Sequence, residues 1–262
     1  MRLDGTTRAF VTGASQGIGR SLAEALAARG ATLGLASRSL EDLQALAASL
    51  TPPGHALACD VGDPDAVQAA VDAFAEAAGG IDLVVANAGI AHYEPFLEQD
   101  PAHIDAMTRV NWLGTVYTVR AALPRLVAQR SGHVVIVSSG AALRAFPQAA
   151  VYGATKAAQR AFAGALRHEL AGTGVGVTTV FPGEIATRLH AHEEATMPAW
   201  YDGRRADPAV LVRHVLEAVE ADRRAVVYPR QIRLLGLDAV APRAVDRLLA
   251  RLRGTSAAPR TD

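Results

Sequence analysis

Short runs of apolar residues alternate with longer amphipathic segments along most of this chain. The short runs suit buried β-strands, and the longer segments have the three-to-four-residue spacing of helices. The pattern predicts strands at residues 8–11, 32–36, 56–59, 81–86, 133–137, 175–181 and 225–228. It predicts helices that end near Arg29, cover 40–50, start at Pro64, and cover 104–130, 151–171 and 208–221.

This alternation predicts an α/β fold. Strands that are apolar throughout, with a helix between each and the next, are typical of a parallel sheet covered on both faces. We therefore predict a single-domain, doubly wound parallel sheet of about seven strands with helices on both faces. The domain is expected to span residues 1–253, and the polar tail 254–262 is expected to be disordered.

Composition narrows the functional classes. The 262 residues carry a formal net charge of zero, which disfavours nucleic acid as the main partner. The single cysteine, Cys59, excludes an intrachain disulfide and suits a reducing compartment. The sequence contains no apolar run long enough to predict a membrane span. It also lacks the apolar segment near Met1 that a secretion signal requires. We expect a cytoplasmic protein.

A glycine-rich loop follows the first predicted strand. It reads Thr12-Gly-Ala-Ser-Gln-Gly-Ile-Gly19 and leads directly into the first predicted helix. Glycines permit a tight turn and a close approach of phosphate, and the helix N-terminus offers free amide groups with partial positive charge. The spacing differs from the standard G-x-G-x-x-G, but the strand–loop–helix context favours a dinucleotide phosphate site.

Tyr152 and Lys156 are the strongest chemical candidates. They are four residues apart and share one face of a predicted helix. Of the 26 basic residues, 25 are arginine, so Lys156 is the only lysine in the chain. An ammonium group beside a phenol favours the phenolate, which predicts a Tyr152 pKa below its usual value of about 10. Tyr152 is therefore a candidate general acid/base.

Together these motifs resemble the short-chain dehydrogenase/reductase family, over about residues 6–229. The resemblance rests on several motifs in the same order: Thr12–Gly19, Asp60-Val61, Asn87-Ala88-Gly89, Asn111, Ser138-Ser139, Tyr152–Lys156 and Pro182–Thr187. It implies a Rossmann fold and an oxidoreductase that uses a nicotinamide dinucleotide. No catalytic position departs from the family pattern.

The resemblance also implies roles for individual residues. Tyr152 would exchange a proton with the substrate oxygen, Ser139 would hold that oxygen, and Lys156 would lower the tyrosine pKa and bind ribose. Asn111 would support a water that relays protons to Lys156, and Ser138 is the alternative to Ser139. The predicted cofactor-binding residues are Gly13, Ser15, Gln16, Gly17, Ile18, Gly19, Ser37, Arg38, Asp60, Val61, Asn87, Ala88, Gly89, Tyr152, Lys156, Pro182, Gly183, Ile185 and Thr187.

The end of the second predicted strand favours NADP(H) over NAD(H), which remains the alternative. NAD-preferring folds commonly place a carboxylate here to bind the ribose 2′-hydroxyl. This chain has Ser37, Arg38 and Ser39 instead, with no carboxylate before Glu41. A guanidinium group matches the 2′-phosphate of NADP(H).

Two later segments have less certain roles. Residues 187–206 lie where the family has a substrate lid, and Met197, Trp200 and Tyr201 there favour an apolar substrate or anchor the loop itself. Residues 240–253 predict a basic amphipathic helix that contacts the domain, another subunit or, less favoured, an anionic membrane surface. His190 and His192 lack the spacing of a metal site, so no metal is predicted.

Five residues near these motifs have roles that the sequence leaves open. His92, Tyr93 and Phe96 follow the fourth strand, Phe146 precedes Tyr152, and Arg144 suits either an acidic group or solvent. The predicted function is interconversion of an alcohol and a ketone or aldehyde on a mostly apolar substrate, in a homodimer or homotetramer. The alternatives are a dinucleotide-binding regulator without turnover, and an epimerase or dehydratase.

Overall fold

In the part of the chain that the structure describes, seven parallel strands form one sheet. A computed structural model of the chain describes residues 1–187, 189, 197–198, 200–201, 203, 205–239 and 243. The strands are β1 (Arg8–Thr12), β2 (Thr32–Ser37), β3 (His55–Ala58), β4 (Leu83–Ala86), β5 (Gly132–Val137), β6 (Val175–Pro182) and β7 (Ala225–Tyr228). All seven predicted strands are confirmed, with ends that shift by one or two residues.

The strand order is β3-β2-β1-β4-β5-β6-β7. The chain builds outward from β1 in one direction, then returns to the other side of β1 with β4. The carboxyl ends of β1 and β4 therefore diverge into connections on opposite faces of the sheet. In doubly wound sheets a ligand crevice lies at this reversal point.

Seven α-helices within the described residues connect and cover the strands. They are α1 (Gly17–Ala27), α2 (Leu40–Ser49), α3 (Pro64–Ala78), α4 (Pro101–Met107), α5 (Gly114–Ala128), α6 (Ala150–Glu169) and α7 (Pro208–Glu220). The predicted start of α3 is confirmed, because Asp63 accepts hydrogen bonds from the amides of Asp65 and Ala66, with Pro64 in the first turn.

Two apolar layers enclose the sheet. One face packs against α1, α2 and α7 through residues such as Leu22, Leu43 and Val215. The other packs against α3, α5 and α6 through residues such as Phe74, Val119 and Leu166. Because both faces are covered, the strands are apolar on both sides, which is why they appear in the sequence as continuous apolar runs.

The predicted helix at 104–130 is interrupted. Between α4 and α5, residues Thr108–Leu113 form a π-helix, which contains Asn111. A π-helix inserts an extra residue per turn and often lies at a functional site. Within the described residues, no helix is long and apolar enough to cross a membrane. The predicted helix at 240–253, apart from Arg243, and the predicted tail 254–262 lie outside the described residues, as does much of the 187–206 segment.

Candidate active site

The glycine-rich loop has the geometry of a phosphate cradle. Gly13 and Gly17 have φ values of +64° and +57°, in the left-handed region that side chains disfavour. The α1 helix begins at Gly17, so its free amide groups face the loop. A Cβ added to Gly17 would lie 3.2 Å from Cβ of Thr187, which places the loop directly opposite the start of the predicted lid. These residues fit a dinucleotide pyrophosphate.

Asn87 ties this loop to β4. Its Nδ2 donates to the carbonyl oxygens of Thr12 and Gly13 at 2.9 and 3.2 Å, and its backbone amide donates to Thr12 Oγ1 at 3.1 Å. Gly19 packs beneath them, because an added Cβ would collide with the Gly13 carbonyl oxygen and lie 2.5 Å from Asn87 Nδ2. Asn87 and Gly19 therefore fix the loop that closes over the reversal point of the sheet.

Tyr152, Ser139 and Lys156 meet beyond this loop. Ser139 follows β5, and Tyr152 and Lys156 lie on one face of α6. Tyr152 and Lys156 are 5% and 4% exposed, yet both contact the same cavity. Lys156 Nζ lies 5.8 Å from the centre of the Tyr152 ring and donates to the Val137 carbonyl oxygen at 3.2 Å.

Burial controls the charges of these groups. It raises the pKa of the Tyr152 phenol, and a side-chain hydrogen bond with Ser139 opposes part of that rise. It lowers the pKa of the Lys156 ammonium to about 8. The predicted lowering of the Tyr152 pKa by Lys156 is therefore not found in this structure, because desolvation of a phenolate outweighs a cation beyond direct contact. At neutral pH Tyr152 is a proton donor, and Lys156 is still mostly protonated.

The two adjacent serines have different roles. Ser138 is 3% exposed, and its Oγ donates to the Lys156 carbonyl oxygen at 2.8 Å. Ser139 Oγ accepts from the Ala141 amide at 3.1 Å and reaches Tyr152. The Ala141 bond uses only an acceptor position, so the Ser139 hydroxyl keeps its proton for a hydrogen bond to Tyr152 or to an oxygen placed beside it. This arrangement favours Ser139 over Ser138.

Asn111 acts on the site through the backbone. It is fully buried, its Oδ1 accepts from the Ile90 amide at 2.8 Å, and its Nδ2 donates to the Ile90 carbonyl and to Thr155 Oγ1. A Cβ added to Gly89 would lie 3.3 Å from both Asn111 Oδ1 and Lys156 Nζ. Asn111 therefore fixes the segment after β4 against α6 beside Lys156, and its predicted support of a water stays a prediction.

One cavity of about 670 Å³ connects these parts. The predicted catalytic residues Ser139, Tyr152 and Lys156 line it, as do all predicted cofactor-binding residues except Gly19. Gly19 and Asn111 are thus two predicted site residues that do not contact the cavity. The family resemblance identifies both residues, but only packing distinguishes a residue that supports the site from one that lines it.

At one end, the cavity is lined by Ser37, Arg38 and Ser39, as predicted, and by Asp42. Arg38 is exposed, and Ser39 Oγ donates to Asp42 Oδ2 at 2.6 Å. Sequence reasoning missed Asp42 because it lies inside α2. The side chain is in the first turn of that helix, close to the end of β2. Asp60 and Val61 also line the cavity, and Asp60 Oδ1 accepts from the Gly62 amide at 2.9 Å.

The opposite end is aromatic. The Tyr93 ring makes edge contacts with Tyr152 and Trp200, at 5.6 and 5.4 Å between centres, and Phe146 lies 4.7 Å from Trp200. Trp200 Nε1 donates to the Pro147 carbonyl oxygen at 2.7 Å. Tyr93 and Phe146, whose roles the sequence left open, therefore line the cavity. Phe96 instead is 65% exposed, and His92 stacks on His103.

The lining residues without a counterpart among the sequence candidates include four from one segment: Gln231, Ile232, Leu234 and Leu235. They belong to a 3₁₀ helix, Arg230–Ala239, that follows β7. Arg144, for which solvent was one expected environment, forms an ion pair with Asp238 of this helix. Among the described residues no cluster of three or more potential ligands suits a metal ion, and His190 and His192 lie outside them.

Comparisons with known proteins agree with this geometry. The family model described as short chain dehydrogenase matches residues 7–198. A protein from Myxococcus xanthus named as an uncharacterized oxidoreductase is 39% identical over 193 residues, which cover 72% of this chain and 76% of the relative.

Two solved structures resemble the chain closely in fold. An alcohol dehydrogenase from the archaeon Thermococcus sibiricus, complexed with 5-hydroxy-NADP, is 26% identical with a TM-score of 0.76, covering 84% of this chain and 95% of that one. A 3-ketoacyl-(acyl-carrier-protein) reductase from Brucella melitensis, complexed with NADH, is 26% identical with a TM-score of 0.79, covering 87% and 98%.

Proposed function

The chain belongs to the short-chain dehydrogenase family, and from that premise we propose that it interconverts an alcohol and a ketone or aldehyde, with NADP(H) preferred over NAD(H). The supporting observation is the continuous cavity that joins the glycine-rich loop to the buried Ser139–Tyr152 pair. Its far end is lined mainly by aromatic and aliphatic side chains, which favours a mostly apolar substrate.

The residues suit a defined division of work. The glycine-rich loop and Thr187 would hold a nicotinamide dinucleotide, which would supply or accept the hydride at the substrate carbon. In the reductive direction Tyr152 donates its phenolic proton to the substrate oxygen, and in the oxidative direction it takes that proton back. Ser139 donates a hydrogen bond to the same oxygen, where negative charge develops. The protonated Lys156 amine offers donors to ribose hydroxyls and a positive charge near the phenol.

Tyr152→Phe is the direct test of this proposal. The substitution removes only the hydroxyl group, so turnover of carbonyl compounds should fall by about 10²–10⁴-fold while dinucleotide affinity stays close to wild type. Turnover is followed by the absorbance of the reduced nicotinamide, and affinity by its fluorescence. Tyr117→Phe, on α5 and away from the cavity, is the matched control and should retain activity. A Tyr152→Phe enzyme that keeps more than about a tenth of wild-type kcat contradicts the assignment.

The cofactor preference rests on this chain's own residues, since one of the two solved relatives holds an NADP derivative and the other NADH. Arg38 is an exposed cation at the cavity end formed by the β2 terminus, where the family places the adenosine ribose. Asp42 opposes a 2′-phosphate, but it already accepts from Ser39. A charge-assisted hydrogen bond contributes about 1.5–3 kcal/mol, so Arg38 should give roughly a ten- to hundredfold preference for NADPH.

The second prediction compares two charge variants. Arg38→Ala should lower the ratio of kcat/KM with NADPH to that with NADH, and Asp42→Asn should raise it, because it removes the opposing charge. Both ratios are obtained from steady-state kinetics with one carbonyl substrate. Preference for NADH in the wild type, or an unchanged ratio in Arg38→Ala, contradicts the proposal.

A further inference from the structure

The 3₁₀ helix Arg230–Ala239, here called the C-terminal wall, closes one side of the cavity. Ile232 packs against two glycines that flank the reacting pair: a Cβ on Gly140 would lie 3.3 Å from Ile232 Cδ1, and one on Gly183 would lie 3.4 Å from Ile232 Cγ2. Leu235, only 7% exposed, lies 3.8 Å from the same point at Gly140. The wall is therefore seated on the chain immediately after Ser139 and immediately after β6.

An ion pair holds the C-terminal end of the C-terminal wall. Arg144 Nε lies 3.3 Å from Asp238 Oδ1, and the two side chains are only 18% and 25% exposed. The Arg144 guanidinium also lies over the Phe146 ring, 5.6 Å from its centre. Because Phe146 contacts Trp200, the ion pair joins the C-terminal wall to the aromatic side of the cavity. Partial burial weakens screening by solvent, so this pair is stronger than a surface pair.

The cavity beside Ser139 and Tyr152 thus has two kinds of lining. Tyr93, Phe146 and Trp200 form an aromatic side that reaches the Tyr152 ring. Ile232, Leu234 and Leu235 form an aliphatic side that reaches the backbone after Ser139. A ketone whose oxygen lies between Ser139 and Tyr152 would therefore place one substituent against rings and the other against branched aliphatic side chains.

We propose that the C-terminal wall determines substrate specificity, that it selects ketones with one aromatic and one extended aliphatic substituent, and that Arg144 and Asp238 are the positioning pair that holds it. This inference rests on the proposed function. It goes beyond that function by assigning selectivity to a segment outside the 187–206 region and by naming an ion pair far from the reacting atoms.

The test uses charge reversal with two ketone probes, hexanophenone and butanone. Asp238→Arg and Arg144→Asp each place like charges together, so the C-terminal wall should detach and KM for hexanophenone should rise about tenfold, equal to about 1.4 kcal/mol of binding. The kcat for butanone, which is too short to reach the wall, should stay within about threefold of wild type. The double variant Arg144→Asp/Asp238→Arg restores an opposite-charge pair and should recover most of the hexanophenone KM.

Two further variants separate selectivity from folding. Arg233→Asp changes charge on the same 3₁₀ helix at an exposed position and should leave both probes unaffected. Ile232→Ala keeps the ion pair but removes the contact with Gly140 and Gly183, and it should raise the hexanophenone KM more than the butanone KM. Hydrogen exchange of amides 230–238 should accelerate in each single reversal and return toward wild type in the double variant.

The outcomes distinguish this inference from the proposed function. If wild type reduces both ketones while the single reversals leave the KM ratio and the exchange rates unchanged, the inference is overturned and the function stands. If wild type reduces no carbonyl compound, the function fails, and calorimetric titration with hexanophenone gives the same comparison among the variants. Loss of binding in the single reversals then supports the C-terminal wall, and unchanged or absent binding overturns it.

Discussion

His133 is a buried titratable residue at the end of the sheet opposite the active site. It lies in β5 with 1% exposure, and its Nε2 is 2.8 Å from Thr178 Oγ1. Because Thr178 Oγ1 donates its own proton to the Arg223 carbonyl oxygen, His133 Nε2 must carry the proton between them. The neutral imidazole is therefore fixed in one tautomer, with Nδ1 3.9 Å from Asp222.

This residue predicts a loss of stability in acid. Burial lowers the His133 pKa to about 4, against partial opposition from Asp222. The unfolded chain, with an ordinary histidine pKa of about 6.5, binds the proton first, so stability is present above pH ~6.5 and is lost as pH falls toward ~4. The full loss is on the order of 3 kcal/mol.

Chemical denaturation at pH 7 and at pH 4.5 measures this effect. His133→Gln should be less stable at pH 7 but should show a shallower decline in the free energy of unfolding. His168→Gln, at an exposed position on α6, is the control that assigns the effect to position 133. Equal declines in His133→Gln and wild type would contradict the prediction.

Single residues also show where sequence reasoning about the site succeeds. Tyr152 and Lys156 are identifiable because helix periodicity places them on one face, and Ser139 is identifiable through the resemblance to a known family. The protonation of Tyr152 is not identifiable in this way, since the direction of its pKa depends on burial by residues such as Tyr93 that are distant in sequence. Asn111 carries a similar lesson, because its partner Ile90 lies in another element.

At the scale of elements, the glycine-rich loop is the most constrained connection. Gly17 combines a φ of +57° with a close approach to Thr187. Gly17→Ala should therefore weaken dinucleotide binding by at least about tenfold, because the new methyl group both strains the backbone and displaces Thr187. The dissociation constant for NADPH, measured by fluorescence, checks this expectation.

Gly164→Ala is the matched control for that variant. Gly164 lies inside α6, and an added Cβ would meet nothing within 4 Å. Alanine there should raise the free energy of unfolding by about 0.5–1 kcal/mol without changing the NADPH dissociation constant. If Gly17→Ala binds NADPH as wild type does, the loop does not have the role assigned to it.

The predictability of elements follows their regularity. Most helices are predicted from the sequence because their apolar residues recur with a period of 3.6 over several turns. The strands are predicted because they are continuous apolar runs. The π-helix around Asn111 and the 3₁₀ helix Arg230–Ala239 follow neither period, so both escaped. Asn111 itself was predicted as a site residue through the family resemblance, whereas the contribution of the 3₁₀ helix to the cavity lining was missed.

For the whole molecule, the local sequence pattern determines the fold class but not the order of the strands in the sheet. The alternation of strands and helices predicts a parallel sheet with two covered faces, which the structure confirms. The order β3-β2-β1-β4-β5-β6-β7 depends on long-range pairing, and the sequence indicates it only through its resemblance to a known family. The Arg144–Asp238 pair is likewise a product of tertiary proximity. The expected homodimer or homotetramer stays a prediction.

The solitary lysine has a practical consequence for measuring the stability of this protein. A protease that cleaves only after lysine has one target bond in the chain, between Lys156 and Ala157. That bond lies inside α6, and the Lys156 side chain is 4% exposed, so the folded protein should resist cleavage until α6 unravels. When opening and closing are fast, the rate of appearance of fragments 1–156 and 157–262 reports the population of the opened state.

Native protein should therefore be cut far more slowly than urea-unfolded protein, and NADPH should slow it further if the dinucleotide binds beside α6. Lys156→Arg removes the target bond and should not be cut under any condition. Equal cleavage rates for native and unfolded protein would show that α6 does not protect Lys156. If protection is found, cleavage after Lys156, a residue expected to serve the active site, also measures how often α6 unfolds.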